Sequence, residues 1–343
     1  MRATVMYGAG DVRVETVPDA HIVEPTDAVV RVARAAICGS DLWPYKSMPR
    51  SETGRRMGHE FIGVVEETGA EVKNVRAGDL AVVPFTYSDG TCENCRRGLT
   101  SSCRHGGPWG VGGVDGGQGE AARIPWADGT LVKLPVGEDS ELLPDLLTLS
   151  DVLCTGYHAA RTAGVKSGDS VTVIGDGAVG LLAVLAARQL GAEQVIAVSR
   201  HEPRQKLARV FGATDIITER GDDGAARVRE LTGGLGAHSV IEAVGTQESM
   251  MQAISSARPG GHVGYVGVSH DVQLPGQELF FREVHLHGGP APVRRFLPEL
   301  IRLICERAID PGKVFDLTLP LDQAAEGYRA MDERRAVKAL LKP

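Results

Sequence analysis

Half of the six cysteines lie in one stretch of sixteen residues, SDGTCENCRRGLTSSC, from Ser88 to Cys103. Cys92 and Cys95 have the two-residue gap of a metal knuckle, and Cys103 follows eight positions later. Thiolates at such spacing suit zinc, but three of them do not close a tetrahedral site. A second set is spread more widely. Cys38, in AAICGSDLW, and His59, in RRMGHEFIGVV, offer one sulfur and one imidazole nitrogen, the donors that a catalytic zinc takes. Each also has a plain structural reading, Cys38 as a small core residue and His59 as a hydrogen-bonded histidine.

A third cluster is made of glycine. Gly175, Gly177 and Gly180 form G-D-G-A-V-G directly after SVTVI and before an apolar-faced helical run. In a chain with 43 glycines the pattern alone is weak, but its place at a strand-to-helix turn makes it specific. Gly175 permits the tight turn, Gly177 lets the backbone approach a pyrophosphate, and Gly180 lets helix and strand pack closely. The helix N-terminus then offers N–H groups and a positive dipole end to the phosphates. The end of the next strand decides between the two nicotinamide dinucleotides, because a carboxylate there would accept from the adenosine ribose and repel a 2′-phosphate. VIAVSRHEPR puts Ser199 and Arg200 at that place, with Arg204 as a second cation. NADP(H) is therefore expected over NAD(H), the absent carboxylate being the stronger argument.

These residues need elements to position them. Residues 1 to about 150 are rich in Gly, Pro and short β-type runs (ATVMY, DAVVRVARAAI, FIGVVEETG, LAVVPF), which predict a largely β domain. From Asp151 strands and helices alternate, through SVTVIGDGAVGLLAVLAARQLGAEQVIAVSR and onward, predicting a doubly wound parallel sheet. The expected division is 1–151 with 290–343 for the first domain, carrying a metal lobe near 88–105, and 152–289 for the dinucleotide domain. A formal charge of −7 with no Lys/Arg stripe argues against nucleic acid or anionic membrane as partners. The longest apolar stretch stops at Arg188, short of the ~20 residues that span a bilayer. No secretory h-region opens the sequence, and clustered cysteines favour metal over disulfides, so a cytoplasmic protein is expected.

Read together, CGSD, GHEFIGVV, Gly78-Asp79, the cysteine knot, DVLCTGYHAA, VIGDGAVG and VKALLKP resemble the medium-chain, zinc-dependent alcohol dehydrogenase family nearly end to end. The resemblance implies a Rossmann domain beside a GroES-like catalytic domain, and a homodimer or homotetramer. It implies Cys38, His59 and Asp151 as ligands of a catalytic zinc, with Cys154 the rival for the third position. Asp41 resembles the carboxylate that orients the ligand histidine, Glu60 a residue near the metal, and Ser40 the hydroxyl that meets the substrate oxygen. Aligned to the family's four-cysteine lobe, Asp89 stands where the first cysteine is usual, so Asp89, Cys92, Cys95 and Cys103 become ligands of a structural zinc. His105 as fourth ligand, or no metal at all, are the alternatives. Thr155, Val179, Val266 and Gly267 complete the implied cofactor contacts.

The activity so implied is hydride transfer between NADP(H) and a small alcohol, ketone or aldehyde, with zinc as Lewis acid. One departure stands out. Where many members carry a proton-relaying His, this chain has Trp43, so the proton must leave through ribose hydroxyls, water or a neighbour such as Tyr45. Trp43 and Trp109 are candidates for lining an apolar pocket, core packing being the other reading. A zinc-free enone or quinone reductase on the same fold, or a non-catalytic NADP-binding protein, are the competing functions.

Overall fold

Ala28–Ala36, AVVRVARAA, is a nine-residue run of small and β-branched residues, buried except at the half-buried Arg31 and Arg34. Such a run satisfies both faces only inside a sheet. In the computed structural model, which describes residues 1–343, it pairs antiparallel with Glu60–Thr68, Ala121–Ile124 and Ala339–Lys342. Leu80–Val83 and Val132–Lys133 extend this seven-stranded sheet on one side and Leu317–Pro320 on the other. A smaller antiparallel sheet joins Asp11–Thr16, Arg2–Gly8 and Arg55–Arg56. Apolar side chains from these strands and from the helix Ala324–Asp332, including Met6, Ile37, Phe61 and Tyr328, form one core.

The chain divides into two compact units, Met1–Asp151 with Pro292–Pro343, and Val152–Ala291. The return crossing falls at Ala291, two residues beyond the expected one. In the second unit, strands β1 (Ser170–Ile174), β2 (Gln194–Val198), β3 (Asp215–Ile217), β4 (Ala237–Glu242), β5 (Ala257–Tyr265) and β6 (His285–Gly288) form a parallel sheet in the order 3-2-1-4-5-6. Helices α1 (Val152–Thr162), α2 (Ala178–Gln189), α3 (Glu202–Val210), α4 (Gly221–Leu231), α5 (Gln247–Ser256) and α6 (Gly276–Phe281) connect or flank the strands. The strand order reverses beside β1, and the crevice at the carboxyl ends of such strands is where dinucleotides bind. No helix is long and apolar enough to cross a membrane.

Candidate active site

Sheet register gathers the first metal-ligating set. Ala36 pairs with Glu60 and also with Leu340, so Cys38, His59, Glu60 and Lys338 converge where these strands begin or end. Asp151 arrives from the 3-10 turn Thr148–Ser150, tied down by a bond from the Phe85 amide to the Ser150 carbonyl (2.9 Å). Donor atoms of Cys38, His59, Glu60 and Asp151 all lie within 4.8 Å of one another. Asp151 Oδ2 stands 3.6 Å from Cys38 Sγ and 3.4 Å from His59 Nε2. Cys154 is buried and outside this group.

Asp41 has both oxygens committed. Its Oδ1 is 3.4 Å from His59 Nδ1, while Oδ2 accepts the Cys38 amide at 3.0 Å and Gln118 Nε2 at 3.3 Å. Gln118 in turn accepts the Tyr328 hydroxyl at 2.9 Å across 210 residues. This chain holds the imidazole with Nε2 toward Asp151. Residue type alone does not mark Gln118 or Tyr328 in the sequence. A tight turn completes the arrangement: Gly58 has φ +102°, and a Cβ there would lie 2.5 Å from Gln118. Ser40 Oγ, solvent-facing, is 3.5 Å from His59 Nε2.

The electrostatics fit a cation. Burial, with Glu60 and Asp151 adding, pushes the Cys38 thiol up to about 11, and burial likewise raises Glu60 despite Lys338 beside it. Burial opposes charge on His59, yet Asp41, Cys38 and Asp151 together hold its pKa well above the ordinary value. Glu60 Oε2 is buried with no partner. One thiol, one imidazole and two carboxyls crowded together, with burial holding protons on Cys38 and Glu60, are the donor chemistry of a zinc site.

Of the two readings open for the tryptophans, core packing holds for Trp109 and not for Trp43. Trp109 is 2% exposed, donates to the Pro84 carbonyl at 2.8 Å and packs edge-on against Phe61 and Tyr87, so it is core. Trp43 lies on the short helix Leu42–Ser47 and is 46% exposed.

In the lobe at 88–105, Asp89, Cys92, Cys95 and Cys103 present donor atoms within 4.8 Å of one another. Asp89 Oδ1 accepts the amides of Thr91 (2.8 Å) and Cys92 (3.0 Å), and Oδ2 meets His105 Nδ1 at 2.6 Å. His105 thus touches the carboxylate from outside the four-donor group. Burial opposes charge on Asp89, but the Cys92 amide, His105 and the Thr91 amide hold its pKa below the usual carboxylate range. Backbone N–H groups of Arg104 and Cys95 draw the Cys92 thiol down to about 7, while burial and the neighbouring thiols raise Cys95. Three thiols this close cannot all ionise without a positive charge among them, which again fits a cation.

Most of the expected cofactor residues follow the carboxyl ends of β1, β2 and β5, with Thr155 on α1 and Arg204 on α3 as the exceptions. Gly175 takes φ +117°, a conformation that L side chains rarely adopt, and a Cβ on Gly180 would sit 1.9 Å from the Gly175 carbonyl oxygen. A Cβ on Gly177 would meet nothing within 4 Å, leaving open space before the uncapped N-terminus of α2, on which Val179 lies. That is a cradle a pyrophosphate fits. Val266 and Gly267 follow β5 with their amides on the Glu242 carbonyl (2.9 and 3.3 Å), and Thr155 lies on α1. After β2, Ser199 is buried, Arg200 is exposed with no hydrogen bond, and Arg204 bonds Asp176 Oδ1 at 3.2 Å. Ser199 Oγ donates to Asp176 Oδ2 at 2.8 Å. The strand end therefore has a carboxylate after all, brought from the glycine turn, and sequence reasoning overlooked it because it looked only along β2.

Known proteins resemble this chain over most of its length. Residues 24–136 match the alcohol dehydrogenase GroES-like domain family and residues 178–305 the zinc-binding dehydrogenase family. The chain is 41% identical over 333 residues to a probable zinc-binding alcohol dehydrogenase of Mycobacterium tuberculosis, covering 96% of this chain and 84% of that one. It is 35% identical to zinc-type alcohol dehydrogenase B of Aspergillus flavus, covering 100% of this chain and 81% of that one. Among solved structures, the alcohol dehydrogenase TADH of Thermus sp. ATN1 superposes with a TM-score of 0.91 at 33% identity, covering 100% of this chain and 99% of its own. The chain belongs to the medium-chain, zinc-binding alcohol dehydrogenase family, whose members exchange hydride between alcohols or aldehydes and a nicotinamide dinucleotide.

Proposed function

We propose that this protein transfers hydride reversibly between NADP(H) and a small alcohol or its ketone or aldehyde, with Cys38, His59 and Asp151 holding the catalytic zinc. The observation that carries the reading is the convergence of these three side chains, with Glu60, inside 4.8 Å. Zinc held there supplies a Lewis acid that lowers the pKa of an alcohol and polarises a carbonyl.

The chain's own residues do the rest. Asp41 keeps the His59 proton on Nδ1, so that Nε2 is free to act as a donor atom. Ser40, exposed beside His59, is placed to hydrogen-bond the substrate oxygen and pass its proton to water. Trp43 cannot extend that path, since an indole N–H donates but does not accept. Asp89, Cys92, Cys95 and Cys103 hold a second zinc with no chemical step attached to it, and it braces a polar loop. The exposed, unpartnered Arg200 beside Ser199 supports NADP(H) as the preferred dinucleotide.

Metal analysis of protein purified without chelator tests this, beside a panel of carbonyls offered with NADPH and with NADH. Bound zinc and faster turnover with NADPH are expected. Cys38→Ser should cost at least about a thousandfold in kcat/KM with the fold intact. Zinc-free protein that still reduces carbonyls would sink the reading.

A further inference from the structure

Asp176, the second residue of the glycine turn, binds both groups that a 2′-phosphate would need. Its Oδ2 accepts the Ser199 hydroxyl at 2.8 Å. Its Oδ1 and its carbonyl each accept Arg204 Nη1 at 3.2 Å. The ion pair is sheltered, the two side chains being 16% and 14% exposed. Gln205 Nε2 adds a bond to the Ser199 carbonyl at 2.9 Å, fixing the residue that presents the hydroxyl. Twenty-three residues separate Asp176 from Ser199, so the contact is made by the fold and not by a local turn.

We propose that Asp176 is a specificity-determining residue that favours the unphosphorylated dinucleotide and so limits the chain's selectivity for NADP(H). The inference rests on the cofactor lying over the glycine turn as proposed above. A free 2′-hydroxyl could donate to the Asp176 carboxylate and leave the Ser199 and Arg204 contacts in place. A 2′-phosphate has no proton to offer at neutral pH beyond its second ionisation, and it would stand beside a fixed negative charge. To gain the Ser199 hydroxyl it must take that group's one proton from Asp176, and it must share with Asp176 the Arg204 guanidinium, whose Nη1 is already engaged. Arg200 alone is uncommitted, and its exposure weakens what a single ion pair contributes. Ser199 and Arg200, which support NADP(H), thus face an opposing carboxylate, and a protein that accepts both dinucleotides follows.

The test is direct binding of NADPH and NADH, without substrate or turnover, to the zinc-replete full chain and to Asp176→Asn. The amide keeps an acceptor for Ser199 while removing the charge. The ratio of the two dissociation constants should move toward NADPH by about tenfold or more, the scale of one charged hydrogen bond gained or lost. Asp176→Ser should move it the same way, which guards against a fault peculiar to the amide, and thermal unfolding checks that both variants fold. A ratio unchanged within about twofold in either folded variant overturns the proposal. The NADP(H) reading is judged separately, by the wild-type ratio and by Arg200→Ala. Wild-type protein that binds NADH more tightly would end that reading, and an Asp176→Asn shift would still stand.

Discussion

Lys338 Nζ donates to Glu60 Oε1 at 2.7 Å across 278 residues, and the two side chains are 1% and 0% exposed. The same ammonium donates to the Ile37 carbonyl at 3.2 Å, beside Cys38. Burial opposes charge on Lys338, but Glu60 and Cys38 hold the ammonium in its charged form. Strand register explains the meeting, since Leu340 and Glu60 both pair with Ala36.

Removing one member of this pair should be far worse than removing both. Lys338→Met leaves a buried carboxyl group without its cation and should cost about 3–5 kcal/mol. The double variant Lys338→Met with Glu60→Leu should recover most of that. Urea denaturation of metal-stripped protein measures the pair alone, and a loss under about 1 kcal/mol for Lys338→Met would show that the pair is not ionised.

Gln118 is expected to act on the metal without touching it. It links Tyr328 to Asp41, which holds His59. Gln118→Leu should weaken zinc binding at the Cys38 site about 10- to 100-fold, as loss of an outer hydrogen-bond partner does. Competition with a chelator reads the affinity. Equal zinc affinity, with kcat/KM unchanged, would leave Gln118 as packing only.

The lobe at 88–105 should be separable from activity. Asp89→Ala is expected to lower zinc from two ions per chain to one, and to reduce the unfolding temperature, while the Cys38 site keeps its metal. Asp89→Cys, giving four thiolates, should hold the second zinc more tightly than the native carboxylate. Elemental analysis after dialysis against a graded chelator distinguishes the three proteins. If Asp89→Ala retains both ions, another group supplies the fourth ligand.

One carboxyl group should make stability fall as pH rises. Burial, then its neighbour Asp310, raises Asp145 to about 6, although the Gly312 amide at 2.6 Å opposes the shift. A folded pKa above the unfolded one means that the native state binds more protons, so stability drops between about pH 4 and pH 6. Asp310, lowered chiefly by Lys313, works in the other direction and only below its ordinary pKa of 3.8. Asp145→Asn should flatten the decline across pH 4–6 in denaturation curves taken at several pH values. An identical decline in the variant would assign it to other groups.

What the sequence determined by itself was local. Alternating β-type runs, the strand–glycine–helix turn and the knuckle gap between Cys92 and Cys95 depend on neighbours a few residues apart, where backbone sterics and side-chain periodicity act. The candidate donor residues stood out for the same reason, because CGSD and GHEFIGVV are short and specific. Tertiary structure decided which distant groups meet. It put Asp151, and not Cys154, within reach of Cys38 and His59, and it placed His105 on Asp89. It turned Trp109 into core and set Gln118 against Asp41 and Lys338 against Glu60. It also carried Asp176 across to Ser199. These contacts join segments separated by 16 to 278 residues, and sheet register and packing, which no local pattern encodes, fix them.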